Sequence, residues 1–499
     1  MPMLSKRKNL KDHKFDEVPM DLTQTGVRRA RNAFHLPLLV AIFDFALAGQ
    51  ATALTFSVLH TFSGDANGGA PIGGLVLSGS TLYGTTSIGG IAGEGTVFAI
   101  QTDGNDFVTL YRFTAIDLTN TNNDGASPSS GLVLSSNTLY GTAAFGGSWG
   151  NGTIFAVNTD GTGFRTLHSF TDGLDGAIPE DGLVLSGGTL YGTAQGNGAY
   201  SGTVFSVFTN GTGFAELHNF SGGDGKNPLA SLTLAGNTLY GTTSFGGSSD
   251  LGTVFAVDTD GTGFKTLHTF SGGADGARPK CGLVILGNTL YGTTGGGGDS
   301  GSGTLFAINA DGSGFTNLYS FSALSSSAPY TNADGAFPDS SLLLTGNTLY
   351  GTAAGGGISG SGTVFALHID GSGFTNLYTF SATAGSPGRN NDGANPHGKL
   401  LLTGDTLFGT TAGGGTSGNG TVFSINLSSA SSPQLTITPA GANVLLSWPT
   451  NFTGFTLQST TTLSSPGWTT TFPAPVVVNG QYMVTNPISG TQQFYRLAQ

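Results

Sequence analysis

Four short apolar words, each of strand length, recur in a fixed order along most of the chain. Words like GLVL begin at residues 74, 131, 182, 231, 282, 341 and 399, and TLYGT or its near copy at 81, 138, 189, 238, 289, 348 and 406. GTVF-like words begin at 95, 152, 202, 252, 303, 362 and 420, and LHTF-like words at 59, 110, 167, 217, 267, 318 and 377. Polar punctuation separates them. Asp-Gly at 103, 160, 260, 311 and 370, with Asn-Gly at 210, lies between the GTVF and LHTF words. These dipeptides tolerate positive φ and predict tight hairpins. Proline falls in the DGAxP connection between units, away from the predicted ladders. The pattern predicts four antiparallel strands about every fifty residues, the signature of a β-propeller blade.

The ends decide how the units assemble. The seventh unit, KLLLTGDTLFGTTAGGGTSGNGTVFSI, lacks its LHTF strand, while an unassigned one, LTFSVLHTF, precedes the first unit at 54–62. A ring in which the N-terminal strand completes the last blade uses every word once, whereas an open stack leaves that strand unpaired. The expected fold is therefore all-β: a seven-bladed propeller over 54–427, closed by the N-terminal strand, followed by a small β-sandwich.

Aromatic residues hold constant places in the repeat, as in Phe98, Phe155 and Phe205, or Tyr83, Tyr140 and Tyr191. Both faces of a blade bury against neighbours, so such columns read as core. Glycine beside each Tyr predicts a ring lying close against the strand.

Composition agrees with many turns and few helices: 84 Gly in 499 residues, and only 9% charged. A basic cluster, GVRRARN, precedes the apolar run AFHLPLLVAIFDFALA and a small-x-small site at Ala51-Thr52-Ala53. Residues 1–53 are thus expected to be an export signal, with no membrane span once it is removed and a secreted or cell-surface location. The remaining chain would carry 9 Lys and Arg against 24 Asp and Glu. So acidic a surface argues against nucleic acid as a partner. The single Cys281 excludes an internal disulfide framework and any cysteine-based zinc site.

The unit GLVL…TLYGTT…GG…GTVFAV…DGTGF resembles the GloVer tandem repeat of exported bacterial proteins, over about residues 54–427. Its strand order is similar to the kelch type of propeller, although kelch's blade tryptophan is absent. The resemblance implies the fold and export, and no established activity. After a linker at 428–433, the stretches NVLLSWPTNFTGFTLQSTT and QQFYRLAQ resemble strands of a fibronectin type III sandwich over 434–499, with Trp448 as its core tryptophan.

Candidate chemistry is confined to loops. Asp124, Asp175, Asp224, Asp275, Asp334 and Asp392 precede Gly in the connections between units, with Asn67 in the first. They are candidate ligand-binding residues: either a carboxylate collar for Ca²⁺ or a hydroxylated ligand, or caps of their own turns. His60, His168, His218 and His268 share a slot with Tyr111, Tyr319 and Tyr378, which reads as a half-buried, polar-tipped ring. His397 stands outside that column and is a further ligand-binding candidate. Glu94, Glu180 and Asp181 are the weak catalytic candidates, among non-repeating charges that include Lys226, Arg278, Lys280, Asp299 and Arg389. No metal site or cofactor other than Ca²⁺ is indicated. The reading is an exported, monomeric, non-catalytic binding or scaffold protein that meets a glycan or cell-surface protein through its Gly-rich loop face. The alternative is a polysaccharide-acting hydrolase or lyase, which requires carboxyl groups converging within one pocket.

Overall fold

The computed structural model describes residues 54–196, 201–428, 435–440, 443–449, 456–461, 468–470, 474–478, 481–487 and 493–498. The expected export signal at 1–53 and all of the linker but Ser428 lie outside the described residues. Every regular element described is a strand, and no described helix is long and apolar enough to cross a membrane.

Seven antiparallel sheets follow one another along residues 55–426, giving a propeller-like array. Sheet 1 is typical: Val76–Ser78, Thr81–Thr86, Thr96–Gln101 and Val108–Arg112 pair in that order, from first strand to fourth. Sheet 7 takes its fourth strand from the N-terminal side, since Thr55–Thr61 pairs with Thr421–Asn426. Its Thr406–Gly413 strand carries both Leu401–Thr403 and the short Ala394–Pro396 on its other edge. The borrowed strand reproduces the repeat in detail. In sheet 3 the third and fourth strands slip by one residue at Val204/Phe205, and Thr55–Thr61 makes the same slip between Val58 and His60.

Neighbouring sheets meet face to face. Tyr83, Val97 and Phe113 of sheet 1 pack with Leu132, Leu139 and Phe155 of sheet 2. Phe408 and Val422 of sheet 7, with Phe62, pack in the same way against Leu75, Leu82 and Phe98 of sheet 1. Burying each such side chain stabilises the fold by about 1.5–3 kcal/mol. The glycine of LYGT makes the close approach possible: a Cβ on Gly141 would sit 2.7 Å from Phe155 Cζ.

The His/Tyr column forms a second seam. Each ring stacks on a phenylalanine of the next sheet, as His168 does on Phe214 with centroids 3.8 Å apart. Tyr378 stacks on Phe56 and His60 on Phe107, so the borrowed strand takes part on both sides. The polar tip of each ring meets the Asp column. Tyr111 Oη donates to Asp124 at 2.8 Å, and His168 Nε2 lies 3.1 Å from Asp175 Oδ2. His60 meets Asn67 instead, at 3.3 Å.

At the C-terminal end, Thr436–Ala440, Asn443–Pro449, Gln481–Pro487 and Val476–Val478 form a four-stranded sheet, and Thr456–Thr460 pairs with Phe494–Ala498. Leu446, Trp448 and Val484 of the first sheet share a buried cluster with Leu457 of the second.

Burial lowers the pKa of His168, His218 and His268, partly offset by their Asp partners, and lowers that of His60 to about 4. The unfolded chain therefore takes up protons near pH ~6.5 while the fold still resists them. Stability falls as pH drops below that value, and the fall ends once the folded histidines protonate. Replacing His218→Tyr, a residue that three other sheets carry in this slot, should make thermal melts between neutral and mildly acidic pH less steeply pH-dependent. An unchanged slope would contradict this origin.

Candidate functional site

Each sheet is entered through a sharp turn that ends in proline. The residue before that proline holds a left-handed φ in all seven sheets, including Ile178 at 52° and Phe337 at 57°. Such a conformation is costly for a β-branched or bulky side chain and persists only where neighbours enforce it. Here the amide of Ile178 donates to Asn151 O and that of Phe337 to Ser302 O, each in the preceding sheet. The proline then rests against the glycine that opens the preceding sheet's third strand. A Cβ on Gly152, whose φ is 100°, would lie 2.5 Å from Pro179 Cδ.

The three residues after the proline run into the first strand. In order along the chain they read PIGG, PSSG, PEDG, PLAS, PKCG, PDSS and PHGK, beginning at 71, 128, 179, 228, 279, 338 and 396. Their backbone is gripped the same way around most of the array. The second threonine of a TLYGT-type strand donates to a carbonyl of the next sheet's segment: Thr85 to Ser130, Thr142 to Asp181, Thr193 to Ala230 and Thr410 of sheet 7 to Gly73 of sheet 1. A uniform backbone grip thus carries side chains that differ from sheet to sheet.

All seven segments line one cavity of about 610 Å³. That volume suits a small organic ligand. The isolated bridge Ala177↔Gln195 sets the entry turn beside the Gly-rich loop, so the cavity lies at the Gly-rich end of the sheets. Its charged lining comprises Glu180, Asp181, Lys280, Asp339, His397 and Lys399. Lys280 Nζ pairs with Asp339 Oδ2 at 3.3 Å. Asp181 accepts from the amides of Gly182 at 2.6 Å and Ser231 at 2.5 Å.

Glu180, Lys280 and Lys399 are exposed, while Asp181, Asp339 and His397 are half-buried. Burial pushes Asp181 up to about 6, against the pull of the two amides and Lys399. Glu180 is raised by burial and by the Asp181 charge. His397 and Lys399 are both lowered by burial, with Asp339 and Asp181 respectively acting in opposition. Burial pushes the Cys281 thiol up to about 12, so it stays neutral. Perturbed acids and bases gathered in one cleft mark a candidate site.

Of the residues singled out in the sequence, Glu180, Asp181, Lys280 and His397 come together here. The six aspartates of the loop word do not. Each is held at the fourth strand of its own sheet, where Asp175, for example, accepts from Thr171 N, Thr171 Oγ1 and His168. Asp124, Asp224, Asp275, Asp334 and Asp392 make the corresponding bonds through Thr114, Ser221, Ser271, Ser322 and Ser381. Among the described residues, no three His, Cys, Asp or Glu side chains are grouped to hold a metal ion. Glu94 lies in the Gly-rich loop of sheet 1, where its carbonyl accepts from Ser127 N. Arg278 covers the Phe245 ring at 5.4 Å. Lys226 bridges to Phe245, while Asp299 and Arg389 are exposed in loops.

Asp339 and Lys399 were not among the sequence candidates. The signal that finds them is the column after the proline, where the seven copies differ in charge at matching positions. Two further departures from the repeat match it. Gln195 lies beside Glu180 and opposes the rise in its pKa, and Gly295 stands where other sheets have Ser, Ala or Gln. A Cβ at Gly295 would collide with Asp339 Oδ1. Gly295→Ala should therefore turn the Asp339 carboxylate away from Lys280 and destabilise the protein by up to about 1 kcal/mol in denaturant melts. In an Asp339→Ser background the same change should cost little; an equal cost in both backgrounds would contradict the contact.

Comparison with known proteins comes down to the repeat. No curated protein matches the chain. Among solved structures, an oligogalacturonate lyase in complex with manganese is similar at 10% identity and a TM-score of 0.45, covering 75% of this chain and 96% of that one. A puromycin-hydrolyzing peptidase of Mycobacterium tuberculosis is similar at 11% identity and a TM-score of 0.44, covering 79% and 61%. A chain of a nidogen/laminin complex is similar at 15% identity and a TM-score of 0.37, covering 60% and 92%. The Gloeobacter/Verrucomicrobia repeat matches residues 41–205, 114–284, 199–387 and 325–441 in four overlapping copies, and the chain belongs to that repeat family.

Proposed function

We propose that the seven sheets close into a ring, and that this exported, monomeric protein binds a polar ligand of glycan or cell-surface origin in the cavity at the centre of that ring. The observation that carries this reading is the post-proline column: a constant scaffold presents variable, charged side chains to a single 610 Å³ lumen. Binding residues on a rigid repeat scaffold follow this division of labour. The pairing of Thr55–Thr61 with Thr421–Asn426 and the packing of sheet 7 on sheet 1 support closure. The apolar run within 1–53 supports export, and the cluster around Trp448 supports a fibronectin type III-like sandwich serving as spacer or attachment module.

A second reading is acid–base catalysis on a polysaccharide, as a hydrolase or lyase. It is favoured by the convergence of Glu180, Asp181 and Asp339 with Lys280, His397 and Lys399, because carboxyl groups and amines of shifted pKa can exchange protons near neutral pH.

A polysaccharide and oligosaccharide binding panel, run on the full chain with and without Ca²⁺, tests both readings. Binding should weaken about tenfold in Glu180→Gln, the loss of one charged hydrogen bond, with the melting temperature unchanged. Release of new reducing or unsaturated ends would favour catalysis. Ca²⁺-dependent binding lost in Asp175→Asn but kept in Glu180→Gln would move the site to the Asp column and overturn the cavity reading.

A further inference from the structure

The hydrogen-bonding capacity left over in the cavity is unevenly distributed. Lys280 directs one donor to Asp339 Oδ2, at 3.3 Å. Both carboxylate oxygens of Asp181 accept backbone amides. Lys399 makes no hydrogen bond or ion pair with any described residue; Asp181 acts on it only through its field. An ammonium group has three donors, and Lys399, which lines the cavity, gives none of them to a described residue. Glu180, exposed and lining the same cavity, has Gln195 beside it and keeps acceptor capacity.

Space is distributed unevenly too. Lys399 belongs to sheet 7, and the next two sheets offer only Ile72-Gly73-Gly74 and Ser129-Ser130-Gly131 after their prolines. Gly74 lies directly beside Lys399, where a Cβ would come 3.1 Å from Lys399 Cβ. Sheet 3 then presents Glu180. The lumen next to Lys399 is thus lined over two sheets by Gly and Ser, with Ile72 as the one large side chain, and then meets the Glu180 carboxyl group.

We propose that the ligand is a hydroxylated carboxylate, of the sugar-acid class, with its carboxylate on Lys399 and its hydroxyls donating to Glu180 across the Gly and Ser segments of sheets 1 and 2. This rests on the cavity reading above and narrows it. A carboxylate can accept from the ammonium in a charge-assisted bond, while hydroxyls match a carboxyl acceptor. A plain dicarboxylate would face Glu180 with like charge, and a neutral sugar would leave Lys399 without its counter-ion. The acid can be a free sugar acid or the uronic end of a polymer; the chemistry at the site is the same.

Calorimetric titration of the full chain with galacturonate, glucuronate and a short oligogalacturonide, beside galactose and glucose, tests it. At least one acid should bind about tenfold tighter than its neutral counterpart, the worth of a charge-assisted hydrogen bond. Lys399→Gln should erase that preference while leaving the neutral sugar's affinity and the melting temperature unchanged, and Lys399→Arg should retain part of it. Tighter binding of the oligomer than of the monomers identifies the polymer end as the source. Equal binding of acid and neutral sugar, lost in Glu180→Gln, would overturn the carboxylate anchor and leave the cavity reading standing. Binding insensitive to both Glu180→Gln and Lys399→Gln, or no binding by any of these sugars, would overturn both.

Discussion

Each of the seven repeat sheets buries two faces, and each face is covered by a neighbouring sheet of the same shape. That constraint explains the repetition. Phe155, for example, lies under Gly141 of its own sheet and in one cluster with Tyr83 and Phe113 of the sheet before. A change in any one column would have to be met in the adjoining sheet. The second-strand threonines and the glycines beneath the prolines are held by the same demand, since their partners lie across a sheet boundary.

Function then has few places to go. The strands are fixed by packing, the His/Tyr rings by stacking and the loop aspartates by the donors around them. The segment after each turn proline is different, because its backbone is gripped while the first side chain after the proline lines the cavity. There the copies diverge into PEDG, PKCG, PDSS and PHGK, and the divergence is coordinated across the cavity. Lys280 meets Asp339, Gln195 meets Glu180, and Gly295 clears room for Asp339. Such mutual adjustment among non-repeating residues is hard to derive from packing alone.

The sheets were largely legible in the sequence, because strand words and turn dipeptides follow local rules. Even the unpartnered strand at 54–62 could be placed, and its one-residue slip at Val58/His60 matches that of the other sheets. Legibility of the site was partial. Glu180, Asp181 and His397 stood out as departures from the repeat, but as isolated ones, since residues from sheets 3 and 7 meet only through the assembled array. The aspartates were legible as a column with two readings, a collar or caps of their own turns, and the local bonds match the caps. Their orientation depends on a His or Tyr tip and a Ser or Thr amide at the fourth strand, a preference set by local donors and invisible in spacing. Asp339 and Lys399 were not among the sequence candidates, because the informative comparison is across the seven copies rather than along the chain.

The central claim is that the sheets hold one another through an unbroken set of neighbours, with the strand from Thr55 to Thr61 completing the last. Thermal unfolding of a variant lacking residues 54–62 tests it most directly. A large, cooperative fall in the melting temperature of the whole array is the result predicted. A small loss confined to the last sheet, with the remaining sheets melting as before, would contradict it.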